Sequence, residues 1–344
     1  MGVRATLARG LQKAIGDENL QRLRRTEARA RRGLIDLLDV EARTKRREAE
    51  VRAAGAPSAQ QKRAALIDAL GRRSLDDAVN QEGLKWATND PFAEHPPTTL
   101  SRHDVLAGLH RLLAPRTYFE IGVRWGDSLE LSRTRSIGVD PVFNIKRPLH
   151  CDLLTVQATS DDFFERPVAF DHFEGRPIDL AFIDGMHLAD FALRDFVNVE
   201  RHCTPGSVVV FDDVLPRNHL EAYRVRRTMS WAGDVYKVHD VLRRLRPDLV
   251  VVPLNTTPTG TMLVANLDPT STVLADALPA VIDDLITDDP QTVPDELLLR
   301  SVAADAAVVL ASDVWPRVVA ARDAGRTDEL VALWHELDGV PRLG

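Results

Sequence analysis

The pattern of apolar and polar residues between positions 99 and 270 predicts alternating strands and helices. Short apolar runs of strand length recur along this stretch, at residues 118–121, 137–139, 149–156, 178–184 and 207–213. Runs that are almost continuously apolar are typical of parallel strands buried on both faces. Two further runs, residues 249–254 and 262–267, flank a short loop and predict an antiparallel hairpin at the sheet edge. We therefore expect an α/β fold with a doubly wound, seven-stranded sheet of five parallel strands plus the hairpin.

Helical patterns on both sides of this domain predict two extensions. Residues 1–98 carry apolar residues at helical spacing around a strongly basic run, which indicates a helical N-terminal extension. This extension either packs on the main domain or forms an arm that contacts a partner subunit, an anionic substrate or a membrane surface. We expect a homo-oligomer formed through these helices. Residues 271–344 predict a C-terminal helical segment with breaks at Pro290, Pro294 and Pro316.

A glycine-containing turn after the first strand predicts a nucleoside-binding site. Glu120 lies in the strand, Gly122 and Gly126 bracket the turn, and Ser128 offers a capping oxygen for a helix that begins there. Asp140 ends the second strand, where a carboxylate can accept hydrogen bonds from ribose hydroxyls. The turn lacks the third glycine of a G-x-G-x-x-G phosphate cradle. A nicotinamide-dependent oxidoreductase shares the strand, glycine and acid pattern, but the missing glycine counts against it.

Acidic residues end several of the predicted strands and meet at one edge if those strands are parallel. Asp184 ends the fourth strand, and Asp212 and Asp213 end the fifth. Like charges that lie close together raise one another's pKa unless a cation is present. A hard divalent ion takes oxygen ligands of this kind, and Mg²⁺ fits. The alternative is that one or two of these acids cap a helix or accept from a backbone amide.

Three motifs together resemble the class I S-adenosylmethionine-dependent methyltransferases. The first strand and turn read E-I-G-x-x-x-G, and the acidic strand ends lie in FIDGMHLADFALRDF and TPGSVVVFDDVLP. The last two motifs resemble the metal-dependent O-methyltransferases of the macrocin and catechol type. The resemblance implies a Rossmann-like fold, S-adenosylmethionine as cofactor, Mg²⁺ held by Asp184, Asp212 and Asp213, and a small-molecule or sugar hydroxyl as acceptor. It also implies cofactor contacts from Glu120, Gly122, Gly126, Ser128, Asp140 and Asp184.

His187 is the candidate general base that the same resemblance implies. The catechol-type enzymes place a Lys three residues after the first metal-binding Asp, and His187 has that spacing from Asp184. Imidazole titrates near pH 6.5, so a histidine is an available base at neutral pH. His187 can instead be a structural histidine, and the proton then passes to Asp184.

Two further segments match this group. Thr159, Ser160 and Asp161 correspond to the loop that holds the adenine ring of the cofactor. Residues 233–237, GDVYK, also resemble the macrocin-type enzymes, but the resemblance assigns them no role.

Composition narrows the range of partners. The net charge of −7 over 344 residues argues against general affinity for nucleic acid, because phosphate binding needs a basic surface. No apolar run reaches the roughly 18 residues that a bilayer crossing needs, and the N-terminus lacks the apolar core of a secretory signal. We therefore expect a cytoplasmic protein without a membrane span. A ligand-binding or assembly protein on a methyltransferase fold is the non-catalytic alternative.

Overall fold

The computed structural model describes Ala93, residues 95–228 and residues 230–344. The predicted N-terminal helical extension, and the subunit contact expected through it, therefore lie almost entirely outside the described residues. Among the helices that are described, none combines the length and the apolar character that a bilayer crossing requires.

Eight strands form one mixed sheet in the described part of the chain. The strands are β1 (Thr117–Ile121), β2 (Arg135–Asp140), β3 (Asp152–Gln157), β4 (Leu180–Ile183), β5 (Val208–Asp212), β6 (Val250–Asn255), β7 (Thr261–Ala265) and β8 (Ala304–Asp305). Their order across the sheet is β3-β2-β1-β4-β5-β7-β6-β8. The first five strands run parallel to one another, and β7 pairs antiparallel with both β5 and β6. This arrangement confirms the predicted five parallel strands and hairpin.

The eighth strand corrects the predicted count of seven. β8 has 2 residues and runs parallel to β6, with Leu254 opposite Ala304 and Asn255 opposite Asp305. Two residues are too short to show the alternation that marks a strand in sequence. The C-terminal segment, predicted as helical, thus adds a strand to the sheet edge.

Helices cover both faces of the sheet. They are α1 (Arg102–Leu113), α2 (Ser160–Phe164), α3 (Ala189–Glu200), α4 (Lys237–Leu245), α5 (Val273–Leu285), α6 (Asp295–Leu298), α7 (Ala306–Leu310), α8 (Val314–Asp323) and α9 (Thr327–Asp338). One hydrophobic core contains residues of α1, α7, α8 and α9. A second hydrophobic core, on the other face of the sheet, contains residues of α2, α3, α4, α5 and α6. Tyr118 lies in the first core and Phe119 in the second, because successive strand side chains point to opposite faces.

Two local predictions fail for identifiable reasons. The helix expected after Ser128 is a short 3₁₀ turn, Leu129–Leu131, and the Ser128 hydroxyl donates to Glu120 at 2.6 Å instead of capping it. Pro316 does not break a helix, since it is the third residue of α8. The first-turn N–H groups of a helix have no partner within the helix, so proline is tolerated there.

A buried arginine from the C-terminal segment holds the β6–β7 loop against the segment that follows β5. Arg300 is fully buried, and burial lowers its pKa to about 10. Its guanidinium donates to the side-chain oxygen of Asn255 at 2.7 Å and to the carbonyls of Thr256 at 2.9 Å, Pro258 at 2.5 Å and Leu215 at 3.3 Å. The Thr256 carbonyl also accepts from Gly260 N at 3.1 Å, whereas the other three acceptors are bound by Arg300, so Arg300 supports the loop conformation.

Replacing Arg300 with methionine is expected to lower the free energy of unfolding by roughly 2–5 kcal/mol, because each buried acceptor without a donor costs about 1–3 kcal/mol. Chemical denaturation measures the change. Arg317→Met is the matched control, since Arg317 makes an exposed ion pair with Glu336, and exposed pairs contribute about 0–1 kcal/mol. Equal losses in the two variants would contradict the proposed contribution of Arg300.

Candidate active site

The candidate site residues meet at the carboxyl ends of neighbouring parallel strands. Asp184 follows the last residue of β4, Asp212 is the last residue of β5, and Asp213 follows it. β4 and β5 are adjacent in the sheet, so the fold brings the three acids to one edge. Open α/β sheets bind ligands at this edge.

His187 lies between two of these carboxylates. Its Nε2 is 3.1 Å from Asp184 Oδ1, and its Nδ1 is 2.7 Å from Asp213 Oδ2. Burial lowers the pKa of His187, but the charges of Asp213 and Asp184 outweigh burial and raise the pKa well above its usual value. The structure therefore brings the predicted base and two of the three predicted metal ligands into direct contact.

Asp212 forms an ion pair with Arg102 and not with His187. Its Oδ2 accepts from Arg102 Nη1 at 2.6 Å, and the carboxylate is almost fully buried. Arg102 is the first residue of α1, which starts with a capping box between Ser101 and Asp104. The capped helix start fixes Arg102 beside the acids, and its guanidinium also lies in the field of Asp184 and Asp213.

The arrangement offers ligands for a divalent cation. One atom each of Asp184, His187 and Asp213 lies within 4.8 Å of the other two, which is close enough to bind one ion. Asp184 Oδ1 and Asp213 Oδ2 are buried and make no well-aligned hydrogen bond, although the His187 nitrogens lie nearby. Buried oxygens with unused lone pairs fit a cation. Of the predicted trio, Asp184 and Asp213 face this point, whereas Asp212 is paired with Arg102.

The β6–β7 loop orients the second of these carboxylates. Thr259 Oγ1 donates to Asp213 Oδ1 at 2.5 Å, and Leu215 N donates to Thr259 O at 2.7 Å. Asp213 has a φ of +64°, a conformation that non-glycine residues seldom adopt. Because Arg300 holds the same loop, the C-terminal segment supports Asp213 through Thr259.

The predicted glycine turn packs against the end of β4. Gly122 has a φ of +93°, and a Cβ at this position would lie 1.9 Å from the carbonyl oxygen of Asp184. Only glycine permits this approach. Gly126 also has a positive φ, +81°, and closes the turn through a hydrogen bond from its N–H to Val123 O. The turn therefore lies directly beside the acidic cluster.

Asp140 and Glu120 already have partners within the protein. Asp140 accepts from the backbone N–H groups of Arg124 at 2.8 Å and Val142 at 2.7 Å, which fixes the turn. A carboxylate has about four acceptor positions, so Asp140 can accept further donors. Glu120 is fully buried and accepts from Tyr118 at 2.8 Å as well as from Ser128. Burial raises the pKa of Glu120 to about 7 despite these donors.

The predicted adenine loop starts α2. Thr159 is the N-cap and accepts from Asp162 N at 3.1 Å, and Asp161 pairs with Arg194 at 3.0 Å. The Ser160 hydroxyl hydrogen-bonds Asp195, a fully buried acid whose pKa burial raises to about 7. Thr159 and Asp161 thus have structural partners in addition to their predicted place beside the cofactor.

Sequence reasoning missed three residues that shape this site. Arg102 is 110 residues from its partner Asp212, and Thr259 is 46 residues from Asp213. Trp231 stacks on His187, with ring centroids 5.2 Å apart and planes at 7°. No local pattern marks such long-range contacts. The capping signal at Ser101 does mark a helix start in the sequence, and an arginine at that start is a candidate partner for the predicted acids.

The fold is an α/β sheet with a cluster of acids at the carboxyl ends of its strands. Part of the chain also matches a protein-family model. Residues 134–214 match a family model described as a methyltransferase domain. The match is less than half of the chain, and it includes Asp140, Asp184, His187, Asp212 and Asp213. It confirms the predicted resemblance to methyltransferases. No curated protein matches the chain.

Similar solved structures are O-methyltransferases at low identity. A putative O-methyltransferase from Klebsiella pneumoniae is 17% identical, with a TM-score of 0.36, over 51% of this chain and 84% of that one. TomG from Streptomyces achromogenes, in complex with SAM, is 19% identical, with a TM-score of 0.36, over 48% and 80%. The mycinamycin-pathway methyltransferase MycE, in complex with Mg and SAH, is 14% identical, with a TM-score of 0.33, over 47% and 49%.

The buried Glu120 is expected to make stability depend on pH. A folded pKa raised from 4.5 to about 7 means that the folded state holds this proton more tightly than the unfolded state. The contribution of protonated Glu120 to the free energy of unfolding is therefore fully present below pH 4.5 and is lost as the pH rises through about 7. Glu120→Gln should remove roughly 3 kcal/mol of the fall in unfolding free energy over this window. Urea titrations at several pH values measure it, with Glu130→Gln as control; parallel curves for wild type and Glu120→Gln would contradict the prediction.

Proposed function

We propose that this chain is an S-adenosylmethionine-dependent O-methyltransferase that acts on a hydroxyl group of a small molecule or sugar, with Mg²⁺ at the acidic cluster. One observation carries the proposal. Asp184, His187 and Asp213 converge beside the Gly122 turn, within a segment that matches a methyltransferase domain. A nucleoside-binding turn next to a carboxylate–imidazole cluster supplies both a cofactor site and groups that activate an acceptor.

Cofactor binding is proposed along the turn between β1 and β2. The turn from Gly122 to Gly126 is exposed at Arg124 and Trp125, and Asp140 has acceptor positions for ribose hydroxyls. Thr159, Ser160 and Asp161 lie at the end of the neighbouring β3 and remain the proposed adenine contacts. S-adenosylmethionine, when bound, supplies a methyl group on a positively charged sulfur that leaves as a neutral thioether, so the leaving group needs no acid.

The acceptor hydroxyl must lose a proton as the methyl group is transferred. His187, or Asp184 beside it, is placed to accept that proton. A divalent cation held by Asp184 and Asp213, with Asp212 as the third predicted ligand, would supply positive charge that stabilises the deprotonated acceptor and favours the neutral form of His187, which can accept a proton. Arg102 contributes positive charge on the Asp212 side of the cluster.

Two alternatives make different predictions. A nicotinamide oxidoreductase would be stabilised by NAD, and a non-catalytic protein on this fold would bind a ligand without turnover. Thermal unfolding in the presence of S-adenosylhomocysteine or NAD separates the first alternative from the proposal. A radiolabelled methyl transfer assay with a panel of hydroxylated acceptors separates the second. A cytoplasmic location and a homo-oligomer formed through the N-terminal helices stay predictions from the sequence.

Loss of the Asp140 carboxylate is expected to weaken cofactor binding. Asp140→Ala should reduce the affinity for S-adenosylhomocysteine by roughly 1.5–3 kcal/mol, the scale of hydrogen bonds to a charged group. Isothermal titration calorimetry measures the affinity, and thermal unfolding shows whether the turn survives the loss of its two backbone bonds. Asp328→Ala, at an exposed acid in the first turn of α9, is the control. Unchanged affinity in a folded Asp140→Ala protein would remove Asp140 from the site.

Loss of the acidic cluster or the imidazole is expected to affect different properties. Asp213→Asn should abolish detectable binding of Mn²⁺, used as a paramagnetic substitute for Mg²⁺, and most methyl transfer. S-adenosylhomocysteine binding should remain within about twofold, because these acids face the acceptor side. His187→Ala should lower turnover by about 10²–10⁴-fold, the range for a lost general base. Full activity in excess chelator would contradict the role of the metal, and normal turnover in His187→Ala would transfer the base role to Asp184.

A further inference from the structure

Gly233 lies directly against His187 and is the first residue of GDVYK, residues 233–237, to which the sequence assigned no role. Gly233 has a φ of +59°, and a Cβ at this position would lie 1.6 Å from the carbonyl oxygen of His187. Any other residue would displace one of the two backbones. His187 itself has a φ of +54°, so its own backbone is held in a conformation that needs support from neighbours.

Asp234 supports the backbone two residues after His187, at Ala189. It is fully buried, and its Oδ1 accepts from the N–H of Ala189 at 2.8 Å, at the start of α3. Its Oδ2 accepts from Arg224 at 2.7 Å and from Lys237 at 2.9 Å. The Asp234 carboxylate therefore links Ala189, two positions after His187, to the side chains of Arg224 and Lys237.

Those cations are themselves anchored to other elements. Lys237 Nζ also donates to the carbonyl of Leu285, at the end of α5, and to the hydroxyl of Thr287, both at 2.8 Å. Arg224 also donates to Asp190 in the first turn of α3 at 2.8 Å. Asp234 thus ties the His187 loop to α3 and α5, which are rigid elements of the core.

Trp231, two residues before this segment, contacts the imidazole ring. The carbonyl oxygen of Trp231 lies 2.7 Å from His187 Nδ1, and the Trp231 ring stacks on the imidazole. Trp231 Nε1 donates to the carbonyl of Tyr223 at 2.5 Å, which fixes the indole. Nδ1 therefore faces two acceptors, the Trp231 carbonyl and Asp213 Oδ2, while Nε2 faces Asp184 Oδ1 at 3.1 Å.

We propose that Trp231, Gly233 and Asp234, held by Arg224 and Lys237, form a His187 clamp that fixes the position and orientation of the imidazole between Asp184 and Asp213. Asp234 is a positioning residue, since it acts through the loop that carries His187 and touches no reacting atom. The inference rests on the proposed function of His187 as general base. It gives the GDVYK segment a role that its sequence alone does not reveal.

The test compares Asp234→Asn with Asp240→Asn, a matched change at an exposed acid of α4 that pairs only loosely with Arg244, at 3.8 Å. Protein labelled with ¹⁵N-histidine is observed by NMR, and the His187 signals are assigned by their loss in His187→Ala. We expect Asp234→Asn to shift or broaden the His187 ring signals, and Asp240→Asn to leave them unchanged. This readout needs no turnover, so it tests the clamp even if the chain transfers no methyl group.

Kinetics then tests the link to catalysis. Asp234→Asn should lower kcat at least tenfold and change the pH–rate profile, with the KM for S-adenosylmethionine within about twofold of wild type. In the His187→Ala background the same change should lower kcat no further, because positioning a residue that is absent has no effect. If Asp234→Asn does not fold, Trp231→Leu, which removes only the stacked ring, is measured in the same way.

Unchanged His187 signals and unchanged kcat in a folded Asp234→Asn protein would overturn the proposal, even if its melting temperature falls. So would an additional loss of kcat when Asp234→Asn is combined with His187→Ala. If Asp234→Asn alters the His187 signals but the wild-type protein transfers no methyl group, the clamp is supported and the proposed methyl transfer is refuted. The two failures are therefore distinguishable.

Discussion

Buried negative charge at the carboxyl edge of β4 and β5 is the constraint on which the rest of the site depends. Asp212 and Asp213 are almost fully buried, and Asp184 lies beside them. Neighbouring carboxylates in a buried, low-dielectric setting are stable as anions only if cations lie close to them. The fold provides His187 between Asp184 and Asp213, and Arg102 against Asp212. Charge compensation therefore explains why a helix start and a loop histidine converge on this edge.

Meeting this constraint requires unusual backbone geometry. Gly122, Gly233, His187 and Asp213 all have positive φ values, and both glycines press their backbones against the chain at Asp184 or His187. Such conformations persist only when surrounding contacts determine them. Here the support comes from distant segments, because Arg300 holds the loop of Thr259 and Asp234 holds the loop of His187. The site thus depends on residues well outside the segment that matches the methyltransferase model.

The same geometry connects cofactor chemistry to acceptor chemistry in the proposed function. The Gly122 turn and the end of β4 are in backbone contact, so a ligand on the turn would lie next to the acids. Asp140 and Glu120 stabilise the turn through hydrogen bonds within the protein. In the proposed function Asp140 has two roles, since it shapes the turn that the cofactor would approach and retains acceptor positions for further donors. This explains how a turn without a phosphate cradle can be rigid.

The sequence by itself determined the five parallel strands, the hairpin and the acids at the strand ends. Apolar runs and glycines are local signals, and parallel strands place their carboxyl ends at one edge whatever the contacts between side chains. Only the tertiary structure decided which cation each acid faces. The sequence grouped Asp184, Asp212 and Asp213 as one metal trio, whereas the fold pairs Asp212 with Arg102 and sets His187 between the other two. It also decided the roles of Trp231, Asp234, Thr259 and Arg300, and the pairing of the two-residue β8. Each of these depends on contacts between residues far apart in the chain, and no periodicity or motif encodes such contacts.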